Sequence, residues 1–405
     1  MAEGTGLVRR AFKFRAYPTC PQQARAVRLL ADHCDLYNAA LEERREAWRM
    51  RGVSIGYGMQ SAQLQELRRA DPAGQGRHSF TAQQQTLRRL NTVFAAFYAR
   101  AKKEKMGKGK TGYPRFKPRG RFNQVRFIAG DGAKWTPADG YRWARAAFQA
   151  VGMVKVRQHR PVPGTVKSLQ LKREHRRWYV IVITEAEPVP LPAAGRSVGV
   201  DVGVARFLTT SDGQVTANPK FLAASAAVIA DLQRRKERAQ RGSGNRKRIR
   251  RQLAREWRKV ASRRRDFHHK TARALVNTCD VIALEKLHTA AMTRRPAPKP
   301  DPGRPGAFLP NRAAAKGGLN KSILDAGWAQ FADILTGKAE EAGRQVVFVN
   351  PAGTSTDCHR CGRTCARPKQ DTVICPVHGR MDADLNGAHN IATRAGLGPG
   401  QAPAA

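Results

Sequence analysis

Residues 196–215 read RSVGVDVGVARFLTTSDGQV. An alternating apolar run surrounds one aspartate, Gly203 interrupts it, a second short apolar run follows, and Ser211-Asp212-Gly213 closes it. This is the pattern of a strand, a glycine, a second strand and a turn. Asp201 stands in the middle of the first strand, with Gly199 and Gly203 leaving room for something to approach. A carboxylate in an apolar strand is costly to bury unless it is paired or holds a metal. TCDVIALEKL (278–287) repeats the situation, as a buried strand that ends in Glu285. Each acid alone has a bland reading: Asp201 as a turn cap, Glu285 as a partner of Lys286 or an arginine. Two acids at the ends of two apolar strands, in a very basic chain, point instead to oxygen ligands for a divalent cation beside a phosphodiester.

Downstream, the apolar pattern predicts a helix over 320–342 and a strand over 344–351 (RQVVFVNP), completing an α/β alternation. Between the two acids, residues 232–270 hold 17 Lys or Arg against three acidic residues on a helical frame of Ile249, Leu253, Trp257, Val260 and Phe267. The break at RGSGN (241–245) makes it two helices, and a polar face of one sign suits phosphate contact. TRRPAPKPDPGRPGAFLPN (293–311) is too rich in proline and glycine for regular structure and reads as a mobile loop.

Upstream, PVPLPAAG (188–195) is a short stiff linker and a candidate domain boundary. Before it, QVRFIAG, YRWARAA, MVKVRQH, TVKSLQLKRE and RRWYVIVITE are short alternating segments of a basic β-barrel or sandwich. Trp135, Tyr141, Trp143 and Trp178 lie among its basic residues, mostly as half-buried strand positions. VRRAFKFRAYP (8–18) is another half-buried strand. Thr19 with Gln22 has capping-box spacing ahead of a long amphipathic helix, and Thr81 with Gln84 repeats it ahead of the stripe Leu87, Leu90, Phe94, Phe97, Ala101. Residues 19–109 thus read as a helical module inserted after one strand.

The chain has 405 residues, 41% of them hydrophobic, with 74 Lys plus Arg against 31 Asp plus Glu and a formal net charge of +43. That is enough apolar material for two or three cores, and the charge needs a polyanion. A nucleic-acid duplex of about 20 base pairs carries about 40 phosphates, a closer match than any small phosphorylated substrate. No stretch of eighteen apolar residues exists and MAEGTGLVRR lacks the core of a secretion signal, so the expectation is a cytoplasmic protein with no membrane partner.

Four of the seven cysteines fall within CHRCGRTC (358–365) and CPVHG (375–379). CxxC and CxxH supply four N/S ligands, the requirement of one structural tetrahedral zinc ion. The expected set is Cys358, Cys361, Cys375 and His378, with Cys365 in place of His378 as the alternative. Cys20, Cys34 and Cys279 read as small buried residues. MDADLNGAHN (381–390) then offers two aspartates one residue apart, immediately after half of the metal site.

VGVDVGVARFLTTSDG, VIALEKL, GLNKSILDAGW, NPAGTSTDCHRCG and DADLNGAHNIA, in this order, resemble the RuvC-like core and zinc ribbon of the TnpB family of transposon-encoded RNA-guided nucleases. The compact type V CRISPR effectors share that core. FKFRAYPTCPQQ, GYPRFKPRGRFNQVRF and VPGTVKSLQL extend the resemblance over nearly the whole chain. It implies an α/β RNase H-like (RuvC-like) nuclease domain with an inserted zinc ribbon, beside a β-barrel wedge domain interrupted by a helical recognition domain. The corresponding boundaries are 1–18 and 110–190 for the wedge, 19–109 for recognition, 191–350 and 381–397 for the nuclease domain, 351–380 for a target-nucleic-acid-binding zinc ribbon, and 398–405 for a disordered tail. The family's three catalytic carboxylates match Asp201, Glu285 and Asp384. They imply two catalytic magnesium ions about 4 Å apart, a hydrolysis with no side-chain nucleophile, and guide RNA and double-stranded target DNA with a short flanking motif as partners. A homodimer is left open. Asp382 then reads as a cap for, or a support near, a helix beginning near Asn386. The sequence departs from the family at His378, where a fourth cysteine is usual, at Gly387, where alanine is usual, and in the proline-rich insertion at 296–310. A cleavage-dead RNA-guided DNA-binding repressor and a DNA-strand-transferring transposase are the competing expectations.

Overall fold

A computed structural model describes residues 6–105, 111–304 and 306–397, and the expected tail at 398–405 lies outside the described residues. The chain divides into two compact units, 1–187 and 188–405.

In the first unit, strand β1 (Val8–Tyr17) turns Phe12, Phe14 and Ala16 inward. Helix α1 (Cys20–Arg51) follows, and Thr19 and Gln22 close the expected capping box. It ends at Gly52, whose φ of 63° lets the chain leave the helix. Next come α2 (Tyr57–Ala70) and α3 (Phe80–Lys105). The cap of α3 differs from the expectation. The hydroxyl of Ser79 accepts the N–H of Ala82 at 3.1 Å, while the N–H of Thr81 is taken by Asp131 at 3.1 Å, so the helix starts before Thr81. The rest is antiparallel: β2 (Gln124–Ile128), β3 (Ala133–Thr136), β4 (Trp143–Phe148), β5 (Gly152–Arg157), β6 (Thr165–Glu174) and β7 (Arg177–Ala186). Their order is β2-β6-β7-β1-β5-β4-β3, and β3 comes back within 8 Å of β6, so the sheet is a nearly closed barrel. Helices and barrel share one core, with Leu29, Tyr37, Leu64, Leu87 and Leu90 packed in the same cluster as Phe14, Phe127 and Val180. Of the basic-barrel aromatics, Trp178 is buried and Trp135 stacks on Phe14. Trp143 is open to solvent, with Lys155 Nζ 4.2 Å from its ring centre.

The second unit opens with β8 (Ser197–Val202), β9 (Arg206–Thr210) and β10 (Val215–Ala217). Two basic helices follow, α4 (Ala226–Arg238) and α5 (Gly244–Thr278), the latter capped by Ser243. Then come β11 (Val281–Glu285), the short α6 (Thr289–Met292), β12 (Lys299–Pro300), β13 (Phe308–Leu309), α7 (Ala313–Ala326), α8 (Trp328–Glu341) and β14 (Gln345–Val349). The sheet runs β10-β9-β8-β11-β14, with the first three strands antiparallel and β8, β11 and β14 mutually parallel. Parallel neighbours need crossovers, and the helices supply them. A three-stranded ribbon, β15 (Ala366–Lys369), β16 (Thr372–Cys375) and β17 (Gly379–Asp382), leads into the last helix, α9 (Ala383–Arg394).

Several expectations need correction. The helix expected over 320–342 is two helices, because Gly327 sits at φ 67° between α7 and α8. The segment 293–311 is not wholly irregular, since Lys299 pairs with Leu309 and Pro300 with Phe308. Cys20 is exposed, unlike Cys34 and Cys279. Among the described residues no helix is long and apolar enough to cross a membrane.

Candidate active site and metal centre

The two faces of the five-stranded sheet are built differently. Val198 and Val200 of β8 and Ile282 and Leu284 of β11 point into a core with α5 and α8, including Val276, Phe331 and Leu335. The alternate residues face α9, where Ala283 packs with Val349 and Ile391. Gly199 belongs to this face. A Cβ there would overlap the carbonyl oxygen of Ala388, so only glycine lets α9 lie this close to β8. Asp201 lies two residues on, on the same face. Val200 and Leu284 are register partners in the parallel pair, so the next step along each strand sets Asp201 beside Glu285. Asp384, in the first turn of α9, completes the group.

Asp201 lies within electrostatic reach of both other acids. Burial raises the pKa of Asp201, the charges of Glu285 and Asp384 raise it further, and Arg367 offsets only part, so the group is pushed up to about 7. Burial also raises Glu285, against a hydrogen bond from Thr354 and the charge of Arg394. Asp384 is raised by burial, with Arg206 opposing and Asp382 adding to the shift. Three carboxylates that resist ionisation in a chain of net charge +43 form a site short of positive charge. Hard divalent cations with oxygen ligands suit such a site.

Asp382 behaves differently from Asp384. It is the N-cap of α9, and its Oδ1 accepts the N–H groups of Asp384 and Leu385, both at 3.0 Å. Its two oxygens also accept from the guanidinium of Arg206 at 3.1 and 2.8 Å. Burial pushes Asp382 up, but these bonds outweigh it and hold it below the usual carboxylate range. The helix therefore begins at Ala383, not near Asn386. Asp384 is left with only a longer approach to Arg206, at 3.6 Å.

Cys358, Cys361, Cys375 and His378 place one ligand atom each within 4.8 Å of one another. Cys358 Sγ is 3.5 Å from His378 Nδ1, Cys375 Sγ is 3.7 Å from the same nitrogen, and Cys361 Sγ is 3.6 Å from Cys375 Sγ. A tetrahedron with Zn–S near 2.3 Å and Zn–N near 2.1 Å has edges of about 3.5–3.8 Å, which these three separations match. The N–H of Val377 donates to Cys375 Sγ at 3.4 Å, the kind of support a thiolate ligand needs. Cys365 lies outside this set, and burial together with Cys375 and Cys358 pushes its thiol up to about 11. Among the described residues the three carboxylates do not gather as tightly as this cluster.

The Cys358–Cys361 knuckle is tied to α9. Asn386 Nδ2 and Asn390 Nδ2 both donate to the carbonyl of Asp357, at 2.8 and 2.7 Å, and Asn386 Oδ1 accepts the N–H of His359 at 3.0 Å. The ring of His359 stacks on that of His389 at 4.6 Å. Thr354, fully buried, donates to Glu285 Oε1. Sequence reasoning missed Arg206, Thr354, Asn386 and Asn390. Arg206 stands inside the stretch that decides the fold, and Asn386 and Asn390 have the spacing of one helix face, so their presence was visible and their partners were not.

A mixed five-stranded sheet in this order, with carboxylates on two adjacent strands and on the last helix, is an RNase H-like fold of the RuvC nuclease type. It agrees with the cryo-EM structure of the Cas12f1–sgRNA–target DNA complex, at a TM-score of 0.56 and 12% identity over 96% of this chain and 99% of that one. Residues 180–295 match the family described as "Probable transposase" and residues 328–391 the "Cas12f1-like, TNB domain". Residues 6–52 match a "Helix-turn-helix domain", although here they form one strand and one helix. "Putative RNA-guided DNA endonuclease InsQ" of Escherichia coli K12 is 30% identical over 94% of this chain and 91% of its own length. A "Putative RNA-guided DNA endonuclease" of Streptomyces pristinaespiralis is 30% identical over 95% of this chain and 89% of its own. The chain belongs to the TnpB-like family of RNA-guided DNA endonucleases.

Proposed function

We propose that this protein is an RNA-guided DNA endonuclease that hydrolyses target DNA at Asp201, Glu285 and Asp384. The observation that carries the reading is the convergence of these three under-neutralised carboxylates on the α9 face of an RNase H-like sheet. Family membership supports the guide RNA and the DNA substrate. Two magnesium ions held there would activate water and stabilise the leaving 3′ oxygen. The chain's own part is to hold the acids. β8 and β11 set Asp201 and Glu285 side by side, Gly199 admits α9, and Arg206 with Asp382 fixes the first turn so that Asp384 is free to bind a cation. No side-chain nucleophile is required, and the products carry 5′ phosphates.

The proposed division of labour follows the expected boundaries. The barrel (1–18 and 110–190) and the helical segment (19–109) bind guide RNA and the short DNA motif flanking the target. The segment 351–380 is a zinc ribbon held by Cys358, Cys361, Cys375 and His378, and it contacts target nucleic acid. The description "Probable transposase" favours strand transfer as the second reading, which demands joined donor and target products.

The test is cleavage of a matched plasmid by the purified protein with its guide RNA in magnesium. The expected outcome is linear DNA for the parent and none for Asp384→Ala, with no joined products. Equal cutting by Asp384→Ala sinks the site assignment, and joined products favour the transposase. Sequencing the RNA that copurifies with the protein shows whether a guide exists.

A further inference from the structure

Thr354 stands at the junction of the two proposed metal sites. It is fully buried, and its hydroxyl lies within hydrogen-bonding reach of Glu285 Oε1 and of the Pro351 carbonyl, 2.8 Å away. A hydroxyl has one proton, and a carboxylate that holds a cation is ionised and the stronger acceptor, so in that state the proton goes to Glu285. That bond fixes the orientation of the carboxylate and still leaves lone pairs for a cation. The main chain of Thr354 is held as well. Its carbonyl accepts from Asn390 Nδ2 at 2.9 Å, the amide that also holds the carbonyl of Asp357. The next residue after Asp357 is Cys358, a member of the Cys/His cluster. The segment 354–359 therefore touches Glu285 at one end, is clamped along α9 by Asn386 and Asn390, and is anchored by Cys358. The helix that clamps it also carries Asp384.

We propose that Thr354 is a positioning residue for Glu285: through its hydroxyl it sets the divalent-cation affinity of the carboxylate site, from a segment anchored by the Cys/His cluster. The proposal rests on the nuclease reading above. Hydrogen-bonded supports of metal ligands typically change affinity by about 10–100-fold, and this bond is made to a charged acceptor.

The experiment measures Mn²⁺ binding to the full-length, zinc-loaded protein from the electron paramagnetic resonance of free Mn²⁺, together with the half-saturating magnesium concentration for cleavage by the guide-loaded complex. Thr354→Val, nearly isosteric and without the hydroxyl, should weaken Mn²⁺ binding about 10-fold and raise the magnesium requirement in proportion. Thr354→Ser should restore both to within about twofold, since it keeps the donor. Zinc content should not move in either variant, and the melting temperature should stay with the parent's for serine while falling by a few degrees for valine, which leaves Glu285 Oε1 without its donor. Thr354→Ala is measured beside them, because it removes the oxygen without placing a methyl group in its position, and it should behave as the valine variant does. Parent-like Mn²⁺ affinity in both hydroxyl-free variants, with weakened affinity in Glu285→Ala, overturns the positioning role and leaves the nuclease site standing. Unchanged affinity in Glu285→Ala as well overturns both. A serine variant as weak as the valine one also overturns the proposal, because the hydroxyl would then not be the cause.

Discussion

The carboxylate of Asp382 accepts the backbone N–H of Asp384 at 3.0 Å, so one aspartate of the DAD triplet builds the helix that presents the other. The two differ by what surrounds them. Asp382 has the Arg206 guanidinium and two backbone N–H groups, and it stays ionised at little cost. Asp384 faces Asp201 across a buried site and has no comparable partner. Two aspartates one residue apart thus differ in surroundings, one closed by protein donors and the other left without them, as the proposed cation site requires.

Substitutions at the two positions should separate cleanly. Asp382→Ala removes a helix cap and a half-exposed ion pair, and should cost about 1–2 kcal/mol of stability with cleavage reduced about tenfold but measurable. Asp382→Asn keeps the cap and should cost about half as much. Asp384→Ala should abolish cleavage while leaving the melting temperature equal to or above the parent's, since it removes one of the two charges that repel buried Asp201. Thermal melts paired with plasmid cleavage decide this, and a fully active Asp384→Ala would reverse the roles.

Asp201 makes stability depend on pH in a definite direction. Its pKa rises from the ordinary 3.8 to about 7 on folding, so between those values the folded state holds the proton that the unfolded state has lost. Stability therefore falls as pH rises through this window, by up to about 4 kcal/mol at 1.36 kcal/mol per pKa unit. Buried His33, lowered to about 3, works in the opposite sense, because its folded form cannot take the proton that the unfolded form gains below pH 6.5. The informative quantity is thus the difference between Asp201→Asn and the parent in magnesium-free buffer. The variant should gain on the parent from pH 5 to 8, and added magnesium should stabilise the parent at pH 8 but not the variant. A pH-independent difference would contradict the placement of Asp201.

Zinc should bind in a ratio of one per chain through His378 and not through Cys365. Cys365→Ser should keep the metal, as elemental analysis would show, since Cys365 lies outside the quartet. His378→Ala should lose most of it and lower the melting temperature. The reverse pattern would make Cys365 the fourth ligand.

Much of this architecture is visible in the amino-acid order, and the reasons differ from place to place. The strands carrying Asp201 and Glu285 are visible because a lone acid in an apolar run has no cheap local explanation. The capping box of α1 is visible because both halves lie in the same four residues. The true cap of α3 is not, because Thr81 has the better motif while a distant Asp131 takes its N–H and leaves the cap to Ser79. α7 begins in an Ala- and Gly-rich stretch without an apolar stripe, so its start at Ala313 and its break at Gly327 leave little signal. Thr354 and Asn390 are legible only as polar residues, because their partners lie 69 and 36 residues away and are set by how α9 docks. Spacing favours His378 over Cys365 as the fourth ligand without excluding the cysteine, and the fold of the ribbon is what brings the histidine nitrogen within 4.8 Å of the three sulfurs.

The docking of α9 is itself testable at two glycines. A methyl group at position 199 would overlap the Ala388 carbonyl and crowd Ala392, backbone that cannot yield without moving the helix. Gly199→Ala should therefore cost about 3 kcal/mol and abolish cleavage, because α9 moves and Asp384 with it. A methyl group at position 387 would meet Asp201 Oδ2 at 3.2 Å, a side-chain atom that can give by a few tenths of an ångström. Gly387→Ala should leave the fold intact, gain up to about 1 kcal/mol from helix propensity, and change at most the magnesium requirement for cleavage. If Gly199→Ala melts with the parent and cuts normally, then α9 does not lie against β8 at this distance.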